Sequence, residues 1–288
     1  MATRPASKTK PLAAAKIRVN WLGRAITGLS LLILFALATV AILGPLRVTG
    51  FDPNQTDLDA VYQEPSSQHW AGTDSLGRDL ASRLIAGARI SLLIAGAACA
   101  INLLVGVTVG ALAGYAGGRT DKLLTRLIDV LYGIPTILVV ILLMIAFEQG
   151  VRNILLAIGL TYWLNMARLV RAEVMSLKNQ DFVAAARATG AGHARILLRH
   201  IMPNAAGTVV VTATLFIPEA IFAEAFLSFI GLGVPPPNAS WGSLAADGSR
   251  ALQSSPWLLW FPAGAICLTM LAFNMVGEKL RDWVYAGR

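Results

Sequence analysis

Residues 180–203 read QDFVAAARATGAGHARILLRHIMP, a polar and basic stretch set between long apolar ones. Asp181 can accept a hydrogen bond at the start of a helix, and residues 182–189 are good helix formers. Gly190 suits the left-handed turn that ends such a helix. A second short helix would place Ala194, Leu197, Leu198 and Ile201 on one face, at i, i+3, i+4 and i+7 spacing. Arg195 and Arg199 fall one turn apart on another face, and Pro203 is expected to mark the end. Two short amphipathic helices in a loop between greasy segments form a docking surface for something soluble.

The flanking sequence supplies the greasy segments. Of the 288 residues 56% are hydrophobic and only 14% charged, which excludes an ordinary soluble domain. A bilayer core needs about 20 apolar residues per helix. Runs of that kind occupy residues 25–44, 90–118, 130–147, 201–233 and 251–277. Residues 153–167 are shorter, and are read as a complete helix continuing through Arg168 and Arg171 into the docking region. A re-entrant segment there would leave five spans and move the C-terminus outside. The expected fold is therefore an all-α integral membrane protein, a six-transmembrane-helix bundle with a cytoplasmic helix–turn–helix loop at about 179–203. Residues 25–44 form the first span, 45–89 an external loop with an amphipathic helix, and 90–288 the core.

Lys and Arg set the orientation. With the N-terminus inside, six fall in the tail, three at Arg119, Lys122 and Arg126, six from Arg168 to Arg199, and three at Lys279, Arg281 and Arg288. That puts 18 of the 24 on the cytoplasmic side, together with both termini and the docking loop. The net charge of +8 is then a retention signal in a lipid bilayer and does not point to nucleic acid. The basic tail, residues 1–24, reads as disordered, and the first span as an uncleaved anchor. Cys99 and Cys267 lie in apolar runs without metal or disulfide spacing.

In the external segment, Thr73 or Asp74 could cap a helix carrying Leu76, Leu80 and Leu84 on one stripe. The second span is rich in small residues, and Gly106, Gly110 and Gly114 recur at a spacing that lets helices approach closely. Pro135 should bend the third span. Residues 231–248, GLGVPPPNASWGSLAADG, cannot be one helix through three prolines and suit a folded external loop with Trp241 at headgroup level. Glu219 and Glu224 are the polar signals within a span, roughly 140° apart around a helix, so they do not share one ligand from a single face. Each either lines a route through the membrane or sits at the external mouth beside Arg78, Arg83 or Arg250.

Several of these stretches carry a resemblance. The 180–203 loop is similar to the coupling loop of bacterial ABC importer permeases, whose pattern is Glu-Ala-Ala, three residues, Gly, then about a dozen residues to a Pro. Ala185, Ala186, Gly190 and Pro203 match, while Ala184 stands at the glutamate position. HWAGTDSLGRD at residues 69–79 resembles a signature of the dipeptide, oligopeptide and nickel permease subfamily, as do EAFLSFIGLG from Glu224 onward and the triple-proline loop. The resemblance implies a permease subunit in the inner membrane, paired with a second homologous permease as a heterodimer. It also implies two cytoplasmic ATPase subunits and an external solute-binding protein. Ala184, Ala185, Ala186, Arg187, Gly190, Arg195, Arg199 and Pro203 would form the ATPase-coupling surface, with Glu224 and Glu219 as candidates for the translocation path.

The chain has no GxxxxGK[ST] phosphate loop, so no cofactor is expected on it, and ATP and Mg²⁺ belong to the partner ATPases. No His, Cys or carboxylate spacing suits a metal or a membrane enzyme. Peptides are the expected cargo, with nickel complexes as the alternative within the same importer type. A secondary transporter or ion channel using Glu219 or Glu224 is the alternative outside it, and would leave the docking loop without a role.

Overall fold

The computed structural model describes residues 12–147 and 150–285, with the backbone alone for residues 12–22 and Met144. Among the described residues helix is the only repeating backbone, beside one isolated bridge between Thr73 and Asp79. A bilayer favours this, because every backbone N–H and C=O in hydrocarbon must be satisfied within its own segment. The chain forms α1 (Leu12–Leu43), α2 (Pro45–Val48) and an irregular segment up to Asp79. α3 (Leu80–Ile101) passes through a π-helical stretch (Asn102–Val107) into α4 (Thr108–Ala116). α5 (Gly118–Tyr132), α6 (Thr136–Ala146), α7 (Val151–Leu177), α8 (Asp181–Ala188) and α9 (His193–Ile196) follow. A second π-helical stretch (Leu197–Ile201) leads into α10 (Met202–Phe229), and α11 (Trp241–Arg250) and α12 (Trp257–Tyr285) complete the fold.

Five units are long and apolar enough to cross a membrane: Gly23–Leu43, Leu80–Ala116, Val151–Leu177, His193–Phe229 and Trp257–Tyr285. The sixth is α5 with α6, which qualify together but are bent by 76°. The expected bend at Pro135 is thus a break. Gly133 closes α5 by donating to the Asp129 carbonyl at 3.2 Å, and Pro135 disfavours the helical conformation for Ile134 before it. The short apolar run at 153–167 belongs to a full helix, α7, which continues through Arg168 and Arg171 as expected.

Other boundaries move. α1 begins at Leu12, so its first turns occupy part of the stretch read as a disordered tail; residues 1–11 lie outside the described residues. The helix expected from Thr73 or Asp74 instead begins at Leu80. Asp79 is its cap, the side chain accepting from the Ser82 N–H at 2.7 Å. Residues 80–89 therefore belong to a spanning helix and not to the loop. Trp241, expected at headgroup level, is packed inside the protein: it is buried at the start of α11 and donates its indole N–H to the Leu84 carbonyl at 3.0 Å.

α7 is the centre of the bundle, with Ile154, Ala157, Ile158, Met166, Ala167, Val170 and Val174 all fully enclosed. The glycine ridge of the second span faces it. A Cβ on Gly110 would lie 2.5 Å from the Ala167 carbonyl oxygen, and one on Gly106 2.7 Å from the Met166 Cβ. Only hydrogen fits there, so the small-residue spacing is a packing device. At the α8 end, Arg171 grips Asp121 with its Nη2 2.7 Å from Oδ2, and Arg168 pairs with Asp129 at 2.8 Å, tying α7 to α5.

Candidate functional site

α8 and α9 sit at one end of the bundle and hold on by a few apolar side chains. Val183 and Ala186 of α8, with Ile196 and Ile201 beyond, are buried in the same cluster as Val170 and Val174 of α7. The opposite side is open: Ala184, Ala185, Arg187, Arg195 and Arg199 are exposed, as is Pro203. The turn between the helices is defined by two hydrogen bonds. The Ala191 N–H donates to the Ala186 carbonyl and the Gly190 N–H to the Arg187 carbonyl, each at 3.0 Å, with Gly190 at φ +82°. This is the Schellman closure that glycine permits. Asp181 is the first residue of α8, and Gln180 takes the cap position without a side-chain hydrogen bond.

The apolar stripe of the second helix differs from the expected one. Ala194 is exposed and Leu198 is 67% exposed, while Ile196 and Ile201 are buried. The π-helical turn explains this, because i→i+5 bonding brings residues five apart onto one face. Pro203 accordingly does not stop the helix. It lacks an N–H for the residue four before it, and the wider turn over 197–201 absorbs that loss as the chain runs on into α10.

Polar ties join this helix pair to the bundle. The Tyr115 hydroxyl at the end of α4 lies 3.0 Å from the His193 Nδ1, and Lys178 Nζ donates to the Tyr115 carbonyl at 2.6 Å. Sequence reading missed this triad, since its members are 15 to 78 residues apart and none has a motif.

The two glutamates separate. Glu224 is fully enclosed by this chain alone. Its Oε1 accepts from the Ser228 hydroxyl at 2.7 Å and its Oε2 from the Ser91 hydroxyl at 3.0 Å. Ser240, the cap of α11, lies 3.3 Å from Ser228, and the Trp241 N–H donates to Ser91 at 3.2 Å. The carboxyl group thus fastens α3, α10 and α11 together, and lies neither on an open surface nor beside an arginine. Glu219 is exposed. It follows Phe216 by one turn of α10, and the Phe216 ring meets Tyr162 of α7 edge-on at 5.3 Å. None of the ion pairs among the described residues includes Glu219. Of its expected partners, Arg78 and Arg83 face Asp74, and Arg250 faces Asp247.

At the end opposite α8, the HWAGTDSLGRD stretch is a closed knot. His69 Nδ1 lies 2.9 Å from Asp79 Oδ2, with Phe51 against the imidazole at 4.8 Å. Asp74 accepts the Leu76 and Arg78 N–H groups at 2.9 and 3.0 Å. The Thr73 hydroxyl donates to the Ala60 carbonyl. A Cβ on Gly77, at φ +68°, would lie 1.6 Å from the Asp57 carbonyl oxygen. The motif is therefore a folded clamp on the start of α3.

Residues 106–287 match the family model described as binding-protein-dependent transport system inner membrane component. The chain is 49% identical to the oligopeptide transport system permease protein OppC of Bacillus subtilis, covering 90% of this chain and 84% of that one. It is 45% identical to the dipeptide transport system permease protein DppC of the same organism, covering 88% and 79%. Against the OppC of Escherichia coli K12 the identity is 44%, covering 88% and 84%. Among solved structures, an inward-facing form of the MetNI methionine ABC transporter aligns with a TM-score of 0.58 at 15% identity. It covers 70% of this chain and 96% of that one. That likeness is one of fold.

Proposed function

We infer from one premise, that this chain belongs to the family of binding-protein-dependent transport system inner membrane components, that it is the permease subunit of an ATP-binding-cassette importer carrying peptides. The observation that carries the reading is the near-full-length similarity to oligopeptide and dipeptide permeases. The exposed helix pair supports it, since a loop held by a few buried side chains and otherwise open gives a soluble subunit a surface to engage.

The chain sits in the bacterial inner membrane with both termini and α8–α9 on the cytoplasmic side. A cytoplasmic ATPase subunit docks on Ala184, Ala185, Arg187, Arg195 and Arg199, while Ala186 and the Gly190 turn hold that surface in shape. A second homologous permease completes the route as a heterodimer, two ATPase subunits hold the ATP and Mg²⁺, and an external solute-binding protein delivers the peptide. Closure of the ATPases pushes on α8 and α9. The His193–Tyr115–Lys178 ties and the buried Val183 and Ile196 pass that movement to α4 and α7, alternating outward-facing and inward-facing arrangements.

The test is uptake of labelled di- and oligopeptides by proteoliposomes holding all four kinds of subunit, with and without internal ATP. Uptake that needs both ATP and the external protein is expected. Flux that follows an ion gradient without ATP would contradict the reading.

A further inference from the structure

The exposed carboxylate of Glu219 lies at a depth where it cannot face lipid. α7 and α10 are antiparallel neighbours, and both Val151 and Phe229 are at the end away from α8. At 1.5 Å per residue Glu219 is about 15 Å from Phe229, and Tyr162 about 16 Å from Val151. Half of a hydrocarbon core is also about 15 Å. α6, with 11 residues, spans about 16 Å, so the Gly133–Pro135 break falls at the same depth. There Tyr132, Pro135, Thr161, Tyr162 and Asn165 line an open cleft. Glu219 reaches this cleft through its neighbour one turn back, Phe216, whose ring meets Tyr162 at 5.3 Å. From Glu219 outward, Phe222, Phe226 and Phe229 continue the exposed stripe at i+3, i+7 and i+10.

An ionisable side chain at mid-membrane faces a protein partner or a water-filled path, because hydrocarbon would cost several kcal/mol. No ion pair among the described residues supplies Glu219 with a counter-charge, and broken helices at this depth are where transporters build solute sites. Building on the peptide reading above, we propose that Glu219, beside the Tyr162–Asn165 cleft, receives the amino-terminal ammonium of a peptide half-way across the membrane. A carboxylate matches the one cation that every unblocked peptide carries. The aromatic stripe leading to it suits varied side chains, because rings make contact without selecting a particular hydrogen-bond pattern.

The test uses the complete complex in proteoliposomes, with Cys267→Ser in this chain and peptides of neutral, acidic and basic side chains. A hydrogen bond to a charged group corresponds to about a tenfold effect or more. Glu219→Gln is therefore expected to lower initial uptake at sub-saturating peptide about tenfold for all three classes, with Glu219→Asp recovering part of it. Glu219→Cys is expected to react with a cationic methanethiosulfonate reagent from the aqueous phase, and trialanine with ATP is expected to slow that reaction. Unchanged uptake in Glu219→Gln, a loss confined to lysine-containing peptides, or a cysteine that does not react would each overturn the proposal while the importer reading stands. A wild-type complex that moves no peptide with ATP would overturn the peptide reading, and this proposal with it.

Discussion

Replacing Gly190 by Val should disconnect ATP hydrolysis from transport without removing the protein from the membrane. An ideal Cβ on Gly190 meets nothing within 4 Å, so steric collision plays no part. The cost is in the backbone, because the residue holds φ +82°. A side chain in the left-handed region costs about 1–2 kcal/mol, and a β-branched one falls at the upper end. About 2 kcal/mol corresponds to roughly a thirtyfold loss in the population of the closed turn, at 1.4 kcal/mol per factor of ten. The two bonds that define the turn, from the N–H groups of Gly190 and Ala191, report on it directly. Hydrogen exchange at those amides in the assembled complex should accelerate roughly thirtyfold in Gly190→Val and far less in Gly190→Asn, since asparagine tolerates this conformation. Peptide uptake per ATP hydrolysed should fall in the same order while the amount of complex stays constant. A Val variant with wild-type protection and wild-type coupling would refute the role given to the turn.

Other substitutions separate structure from transport. Glu224→Gln keeps the shape and one acceptor oxygen, so it should lower the thermal midpoint of the complex by the loss of one hydroxyl contact, about 1 kcal/mol, and leave peptide preference as it was. A selective loss for cationic peptides would return that residue to the route. Gly110→Leu drives a Cβ to 2.5 Å from the Ala167 carbonyl oxygen and should sharply reduce folded protein in the membrane, measured by detergent-resistant complex. Gly96→Leu, with open space around it, should be tolerated in the same assay. His69→Ala removes the partner of the buried Asp79 at a cost of about 1–3 kcal/mol, and protease should then cut residues 45–79 faster while α3 remains in place.

Apolar length made most of the architecture legible. The runs at 25–44 and 251–277 lie largely within single helices, and Gly190 announced its own positive φ. What escaped was decided by packing and by local bonding geometry. The start of α3 depends on Asp79 being the aspartate whose side chain reaches the Ser82 N–H, and Asp74, Thr73 and Asp79 are equivalent on paper. The stripe of the second loop helix was read with an α-helical period, whereas the turn before Pro203 is π-helical and pairs Ile196 with Ile201. Pro135 gave notice of a bend, but the size of the 76° break was not legible from it. Trp241 looked like an interfacial anchor because nothing near it in sequence encloses it, and its cover comes from α3, about 150 residues earlier. Glu224 could not be told from Glu219 by chemistry alone. Ser228, one turn away, was the available clue, whereas Ser91 required the fold.

The exposed side of α8 and α9 is where the driving subunit is proposed to engage this chain. Ala184, exposed and standing at the glutamate position of the family pattern, is the place to ask. Ala184→Cys in a Cys267→Ser background, mixed with the partner permease, the ATPase subunits and the external binding protein, should be treated with a short bifunctional thiol reagent in proteoliposomes. One crosslinked product is expected, to an ATPase subunit, with a yield that changes when ATP is added. A cysteine at 184 that couples to no ATPase in an assembled, transporting complex, or that reacts with the external protein instead, would contradict it.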